Sequence, residues 1–192
     1  MIFHLTGDMQ ALRLARAGAR WILTAAYEPR HGSVASWITD SGRGPAPAAR
    51  TTQDLAYALL GPAMLYRLTG DPELLAFLEA VKDHIFTAYW SEDRGLLRWS
   101  NAPAGPAGRG RSELVAQLDQ INAYLLLVTP LLQGEQRTRW EDDLARLGTV
   151  LWRTFHDPER HRFCGWRHGP TGCLWGERHN DFGHTAKAYW ML

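Results

Sequence analysis

Phe3-His4-Leu5-Thr6-Gly7-Asp8 returns 63 residues later as Tyr66-Arg67-Leu68-Thr69-Gly70-Asp71, and the register holds without a gap through Gly32 and Gly95. A looser third copy sets Phe155-His156-Asp157-Pro158 against Tyr89-Trp90-Ser91-Glu92, at an offset of 66. A fixed period of this length marks a repeat architecture. Apolar spacing predicts helices over 9–27, 52–68, 72–90, 113–132 and 136–155, with a last helix from Phe182 to the end. Gly70 suits the residue after a helix end and Pro72 a first helical turn. Thr51 or Thr52 and Ser112 are the expected caps of the helices that follow them. Short β-like arms are expected at 33–38 and 95–99, with Pro/Gly loops at 41–49 and 101–110 and an irregular stretch over 156–180. Repeated helix–turn–helix units of this kind build an open superhelix or a closed toroid of paired helices.

The period also says which residues should face the same way. Asp54, Asp119 and His184 sit at intervals of 65, and Tyr57, Asn122 and Lys187 follow each of them one helical turn later. If each repeat is one helical hairpin, the first three occupy equivalent positions at the starts of successive helices. The six form a ring of polar groups and are the candidate site.

Composition narrows the function. The chain has 192 residues, a net charge of +1 and 45% hydrophobic residues, an ordinary globular balance of one-domain size, and 1–192 reads as a single domain. That balance gives no electrostatic footprint for nucleic acid or for an anionic membrane. No apolar run is expected to span a bilayer. The apolar start is interrupted by Asp8, Arg13, Arg16 and Arg20, so no signal peptide is read, and a cytoplasmic location is expected. Cys164 and Cys173 do not make a disulfide framework. His161, Cys164, His168, Cys173 and His179 are zinc-ligand types, but their spacings lack the paired arrangement of a zinc site, so no metal is expected. No phosphate-cradling glycine loop or dinucleotide fingerprint is present, and no cofactor is expected. Nine Trp and six Tyr are many for this length. Most should pack the core, while Trp175, Trp166 and Trp99, in or near the loops, are placed to stack on a sugar ring.

The segment His179-Asn180-Asp181-Phe182-Gly183-His184-Thr185-Ala186-Lys187-Ala188-Tyr189-Trp190 resembles a signature of the N-acylglucosamine 2-epimerase family, which includes cellobiose 2-epimerases and aldose–ketose isomerases. The Thr-Gly-Asp helix ends are similar to that family too. The resemblance implies an (α/α)6 toroid with its active site in a central funnel, of which this chain would supply about half. It also implies that His184 is one of two acid/base histidines, the second lying on a late helix beyond Leu192. Three positions depart from the family pattern: its arginine falls on Tyr57, its His-x-x-Glu reads Asp119-Gln120-Ile121-Asn122, and the Glu after Gly-His-x-Ile is Lys187.

The expected function is therefore a carbohydrate epimerase or isomerase working by proton transfer next to a sugar carbonyl. Histidine suits the base because its ordinary pKa lies near neutrality. His184 would be that base and Asp119 a second acid/base group, while Asp54, Tyr57, Asn122, Lys187, His179 and Trp175 would bind substrate. Two alternatives stay open: a glycoside hydrolase or lyase using Asp54 and Asp119 as paired carboxylates, and a non-catalytic sugar-binding or assembly module. Met1 falls at the tail of a helix and Leu192 in the middle of one, so the expected partner, besides a carbohydrate, is a second chain or the remainder of the toroid.

Overall fold

The computed structural model describes residues 1–102, 111–168 and 179–192. Its architecture is a run of antiparallel helix pairs joined by short β arms. Helix α1 (Ile2–Thr6) leads into α2 (Met9–Trp21), which continues as a π-helical turn over Ile22–Ala26. An arm of β1 (Tyr27–Glu28) and β2 (Ser33–Val34) follows, then the hairpin of β3 (Trp37–Thr39) and β4 (Gly42–Gly44). Helices α3 (Thr52–Thr69) and α4 (Pro72–Ala88) form the next pair and feed the arm of β5 (Trp90–Ser91) and β6 (Leu96–Leu97). Strand β7 (Arg111–Glu113) enters α5 (Leu114–Gln120), which runs on through a π turn, Ile121–Leu125, and α6 (Leu126–Val128). Helix α7 (Gly134–Val150) also ends in a π turn, Leu151–Phe155, before the arm of β8 (His156–Asp157) and β9 (Arg162–Phe163). Strand β10 (Trp166–His168) and helix α8 (Phe182–Met191) complete the described elements.

The sequence period is a structural one. The three arms pair Tyr27 with Val34, Trp90 with Leu97 and His156 with Phe163, at the same offsets of 63 and 66. The Thr-Gly-Asp copies do the same work twice. Gly7 and Gly70 take left-handed conformations, φ 72° and 65°, that side chains disfavour. Their N–H groups return to the carbonyls of Phe3 and Tyr66 and close one helix. The carboxylates of Asp8 and Asp71 then accept from the N–H groups of Gln10 and Glu73 and open the next. This chemistry is local, and so it shows in the sequence.

Packing sets the layers. Helix α3 lies against α2, α4, α5 and α6, and its Leu55, Ala56 and Leu59 are fully buried. Gly61-Pro62 lies inside this helix without ending it, and Pro62 is buried. Behind it α4 and α7 are clasped by polar contacts: Lys82 Nζ lies 2.6 Å from Asp143 Oδ2, and Gln136 Nε2 donates to Glu79 Oε2 at 3.0 Å. Trp140 and Tyr124, both fully buried, meet edge-on at 6.0 Å. Helix α3 packs against α5, and Lys187 of α8 reaches Asp119 of α5, so α3, α5 and α8 make one layer, the inner one, backed by α2, α4 and α7.

Several expectations are corrected. Ser112 does not cap a helix. It lies in β7, which pairs with β10, its hydroxyl accepts from Arg94, and Glu113 is the N-cap residue of α5. The helices expected over 9–27 and 72–90 give up their last residues to the arms, at Tyr27 and Trp90. The stretch 156–180 contains β8, β9 and β10. One helical run, Leu114–Leu131, is long and apolar enough to cross a membrane, against the expectation; 72% of it is buried, as befits a core helix. Cys164 is buried and disulfide-bonded, so its sulfur is not a free ligand. Trp175, Cys173 and most of the 101–110 loop lie outside the described residues.

Candidate functional site

Three N-caps fix where the inner helices begin. Thr51 opens α3, its hydroxyl accepting from the N–H of Asp54; Glu113 opens α5; Asp181 opens α8. Asp54 and His184 each stand three residues past their cap, but Asp119 stands six past its own. Equal spacing in sequence is therefore not equal depth in the helix. Glu113 is at once the last residue of β7 and the N-cap of α5, so α5 begins directly from the strand and Asp119 sits one turn deeper. The equivalent positions are Tyr57, Asp119 and Lys187, and the structure brings these together.

Lys187 Nζ donates to Asp119 Oδ1 at 2.5 Å, and Gln53 Nε2 donates to Asp119 Oδ2 at 2.7 Å. The Asp119 side chain is 1% exposed, so both of its oxygens are committed to partners inside the protein. A charge buried this deeply needs such partners. Tyr57 is half-exposed, and its pKa is raised, first by burial and then by the negative charge of Asp119. Asn122 lies one turn beyond Asp119 in the π turn, and its Oδ1 is buried without a hydrogen-bond partner among the described residues. Such an acceptor is open to a ligand hydroxyl or a water. Asp54 stands apart. It is exposed and accepts from Ser36 Oγ at 3.3 Å.

His184 occupies the first turn of α8, above Lys187. Asp181 holds it twice: Oδ1 accepts from the His184 N–H at 2.9 Å, and Oδ2 lies 2.7 Å from ring Nδ1. The Asp181 carboxyl is held below the usual aspartate range, chiefly by that backbone N–H. With Nδ1 facing a carboxylate, Nε2 is the nitrogen left to accept a proton. The His179 ring stands 4.9 Å from that of His184, centroid to centroid. Its Nδ1 is 3.9 Å from Oε2 of the buried Glu113, whose Oε1 is paired with Arg111 at 2.6 Å. The Arg111 guanidinium covers one face of Trp166 at 4.5 Å.

Asp181, Gln53 and Glu113 escaped the sequence reading. Asp181 had a visible signal, an Asp one residue before a helix start with a titratable side chain three residues on. Gln53 and Glu113 had none, since their partners lie far away in the chain. Among the described residues, no group of three or more His, Cys, Asp or Glu side chains is placed to hold a metal ion. One cleft formed by described residues lies between α2 and the α3–α4 turn, lined by Arg16, Leu23, Leu65 and Leu74, away from this cluster.

No protein-family model matches the sequence, and no curated protein matches it. Solved structures match the fold. A sugar epimerase from a ruminal bacterium is similar over 98% of this chain and 49% of its own, with 18% identity and a TM-score of 0.76. The cellobiose 2-epimerase from Bacillus thermoamylovorans B4167 is similar over 99% and 50%, with 14% identity and a TM-score of 0.78. An unsaturated glucuronyl hydrolase from Bacillus sp. GL1 is similar over 98% and 52%, with 20% identity and a TM-score of 0.67. The chain thus spans about half the length of the structures it matches. By fold, it is a stretch of α/α toroid of the kind seen in sugar epimerases, and its inner helices carry the polar cluster just described.

Proposed function

We propose that this protein acts on a free-carbonyl carbohydrate by proton transfer next to the carbonyl, as a sugar epimerase or isomerase. The observation that carries the reading is His184 on the first turn of an inner helix, with Nδ1 held by Asp181 and Nε2 left as the base. His184 would take the proton from the carbon beside the carbonyl. The electron pair then forms the enediolate, whose oxygen needs a positive or hydrogen-bonding neighbour. Lys187 is one helical turn away on the same face and supplies it. Tyr57 and the Asn122 acceptor would hold sugar hydroxyls. Such a reaction needs no cofactor. The remainder of the toroid, from the same polypeptide or from another chain, would close the other side of the site. We place the protein in the cytoplasm on composition, a reading that the disulfide of Cys164 counts against.

The test is an assay in heavy water. An active aldose takes up deuterium at C2, and His184→Ala lowers the exchange by about a hundredfold or more. Uptake that survives this substitution would remove His184 from the role of base.

A hydrolase is the second reading, favoured by the likeness to the unsaturated glucuronyl hydrolase. It needs two carboxylates facing the substrate. Asp119, buried with both oxygens occupied, is poorly suited to be one of them. Glycosidic cleavage without any exchange at C2, lost on Asp54→Asn, would favour it over proton transfer.

A further inference from the structure

The first β arm carries a group of cations that the proposed reaction does not use. A cleft of about 350 Å³ opens between the β1–β2 turn and strand β4, lined by Glu28, Pro29, Arg30, His31 and Arg43. Arg30, His31 and Arg43 are exposed, and among the described residues none of them has an ion pair or a side-chain hydrogen bond. The acid of the lining is already committed. Glu28 Oε2 lies 2.6 Å from Arg50 Nη1, and Arg50, which is 1% exposed, also donates to Ser33 Oγ at 3.0 Å. The Glu28 carboxyl is held below the usual glutamate range, first by its hydrogen bond from Arg50 and, against the effect of burial, by the charges of Arg50, His31 and Arg43. His31 and Arg43 therefore project their fields onto one spot. With Glu28 and Arg50 cancelling each other, the charges of Arg30 and Arg43 are left over. A phosphate monoester at pH 7 carries a charge of about −1.5 to −2, which matches that surplus.

The turn holds its shape without these cations. The His31 N–H donates to the Glu28 carbonyl at 2.9 Å, and the Gly32 N–H to that of Pro29 at 3.3 Å. Gly32 sits at φ 59°, so close to α4 that an added Cβ would stand 3.0 Å from His84 Cβ. The repeat supplies a comparison. Glu28-Pro29-Arg30-His31-Gly32 corresponds to Ser91-Glu92-Asp93-Arg94-Gly95 and to Asp157-Pro158-Glu159-Arg160-His161. The last residue of each is left-handed, with φ 59°, 62° and 48°. The middle residue is an acid in the second and third turns and an arginine in the first. In those two turns the charges are used locally, Ser91 Oγ donating to Asp93 at 2.5 Å and Arg160 to Asp157 at 3.1 Å. The same backbone thus forms around aspartate or glutamate, and the turn does not require Arg30.

We propose that this cleft binds a phosphate group, held by the guanidinium groups of Arg30 and Arg43 with the His31 imidazole beside them. Arginine suits the task because its planar fork meets two phosphate oxygens at once. The two cations come from separate elements, the β1–β2 turn and β4, and so approach the group from different directions. The volume is that of a small-molecule site, so the phosphate is either free or carried on a sugar. Arg50 immediately precedes the Thr51 cap of α3, which puts the cleft at the end of the inner helices where His184 also stands. The inference concerns binding and does not depend on the proton-transfer reading.

The experiment titrates the full chain at low ionic strength, where charge pairing is least screened, with inorganic phosphate, glucose 6-phosphate, glucuronate and glucose. Calorimetry gives the affinity, and NMR of the arginine Nε–H groups shows which side chains respond. Both phosphates should bind saturably while glucose does not. Arg30→Asp, which installs the residue of the second turn, and Arg43→Gln should each weaken phosphate binding by about tenfold or more. Equal affinities for the two phosphates identify a site for the free ion. An affinity about tenfold higher for glucose 6-phosphate identifies a phosphorylated sugar, and either result upholds the proposal. No saturable binding of either phosphate overturns it. So does an affinity in the Arg30→Asp/Arg43→Gln double variant within about threefold of the unsubstituted protein, since each charge-assisted contact is worth more than that. Glucuronate binding more tightly than both phosphates overturns it too, by making the site one for carboxylates. No turnover is read, so failure here is separate from failure of the heavy-water assay.

Discussion

At the scale of the residue, Asp181 does two jobs that can be separated. One oxygen caps α8 and the other holds the His184 ring. Its folded-state pKa is depressed, first by the His184 backbone N–H. A carboxyl depressed on folding stabilises the protein at pH above its unfolded pKa, and that contribution disappears as pH falls through the folded value. Asp181→Ala should therefore cost about 1 kcal/mol at pH 7 and progressively less below about pH 4, measured by denaturant unfolding at both pH values. An equal cost at pH 7 and pH 3 would mean that the charge contributes nothing. Asp181→Ser should separate the two jobs, because serine caps a helix about as well as aspartate. Stability should be kept, while the ring nitrogen shifts of His184, read by 15N NMR, should move toward a mixture of tautomers. Unchanged shifts would show that the carboxylate does not set the tautomer.

At the scale of the element, the decisive fact is the depth at which each inner helix starts. The Thr-Gly-Asp joints were legible because glycine, threonine and aspartate satisfy backbone groups within a few residues of themselves. The amphipathic helices and the arms followed from the repeat. The depth of Asp119 was not legible, because the start of α5 is fixed by pairing between β7 and β10, whose residues lie more than fifty positions apart. Equal sequence intervals therefore grouped side chains that the structure groups differently. Asp119 belongs with Tyr57 and Lys187, and Asp54 belongs with the loop serine. The same contact gives a stability prediction. Asp119→Ala leaves Lys187, whose side chain is 26% exposed, without its counter-charge. Breaking a buried pair by removing one partner costs about 3–5 kcal/mol, and the partial exposure of Lys187 puts the cost near the lower end. The double variant Asp119→Ala/Lys187→Met should lose less than the sum of the two single losses, by about 1 kcal/mol or more. Strict additivity in urea unfolding would show that the pair does not form. Tyr57 gives an independent readout. In Asp119→Asn its phenol should ionise at lower pH than in the unsubstituted protein, though still above the ordinary tyrosine value, because burial is the larger cause of its shift.

At the scale of the whole molecule, the described residues expose large apolar side chains near both ends of the chain. At the N-terminal end these are Met1, Ile2, Leu5, Leu14 and Trp21, all more than half exposed. Toward the C-terminal end, Trp152 is 53% exposed, Phe182 80%, Trp190 79% and Leu192 54%. In a stack of helical hairpins each unit buries its apolar face against the next, so a terminal face stays uncovered unless something packs on it. The solved structures of this fold are about twice as long, and in them this chain's length corresponds to only half of the toroid. Single apolar residues on a surface need no explanation, but several large ones toward each end of a repeat stack fit faces that a further unit would cover. The prediction is that this polypeptide, studied by itself, binds ANS and associates as its concentration rises in sedimentation velocity. Phe182→Ser together with Trp190→Ser should shift it toward monomer without altering its far-UV circular dichroism, since neither side chain is part of the core. A chain that stays monomeric and dark to ANS at its highest soluble concentration would show that these faces are stable in water. In that case closing the toroid would contribute to the sugar site rather than to the stability of the fold.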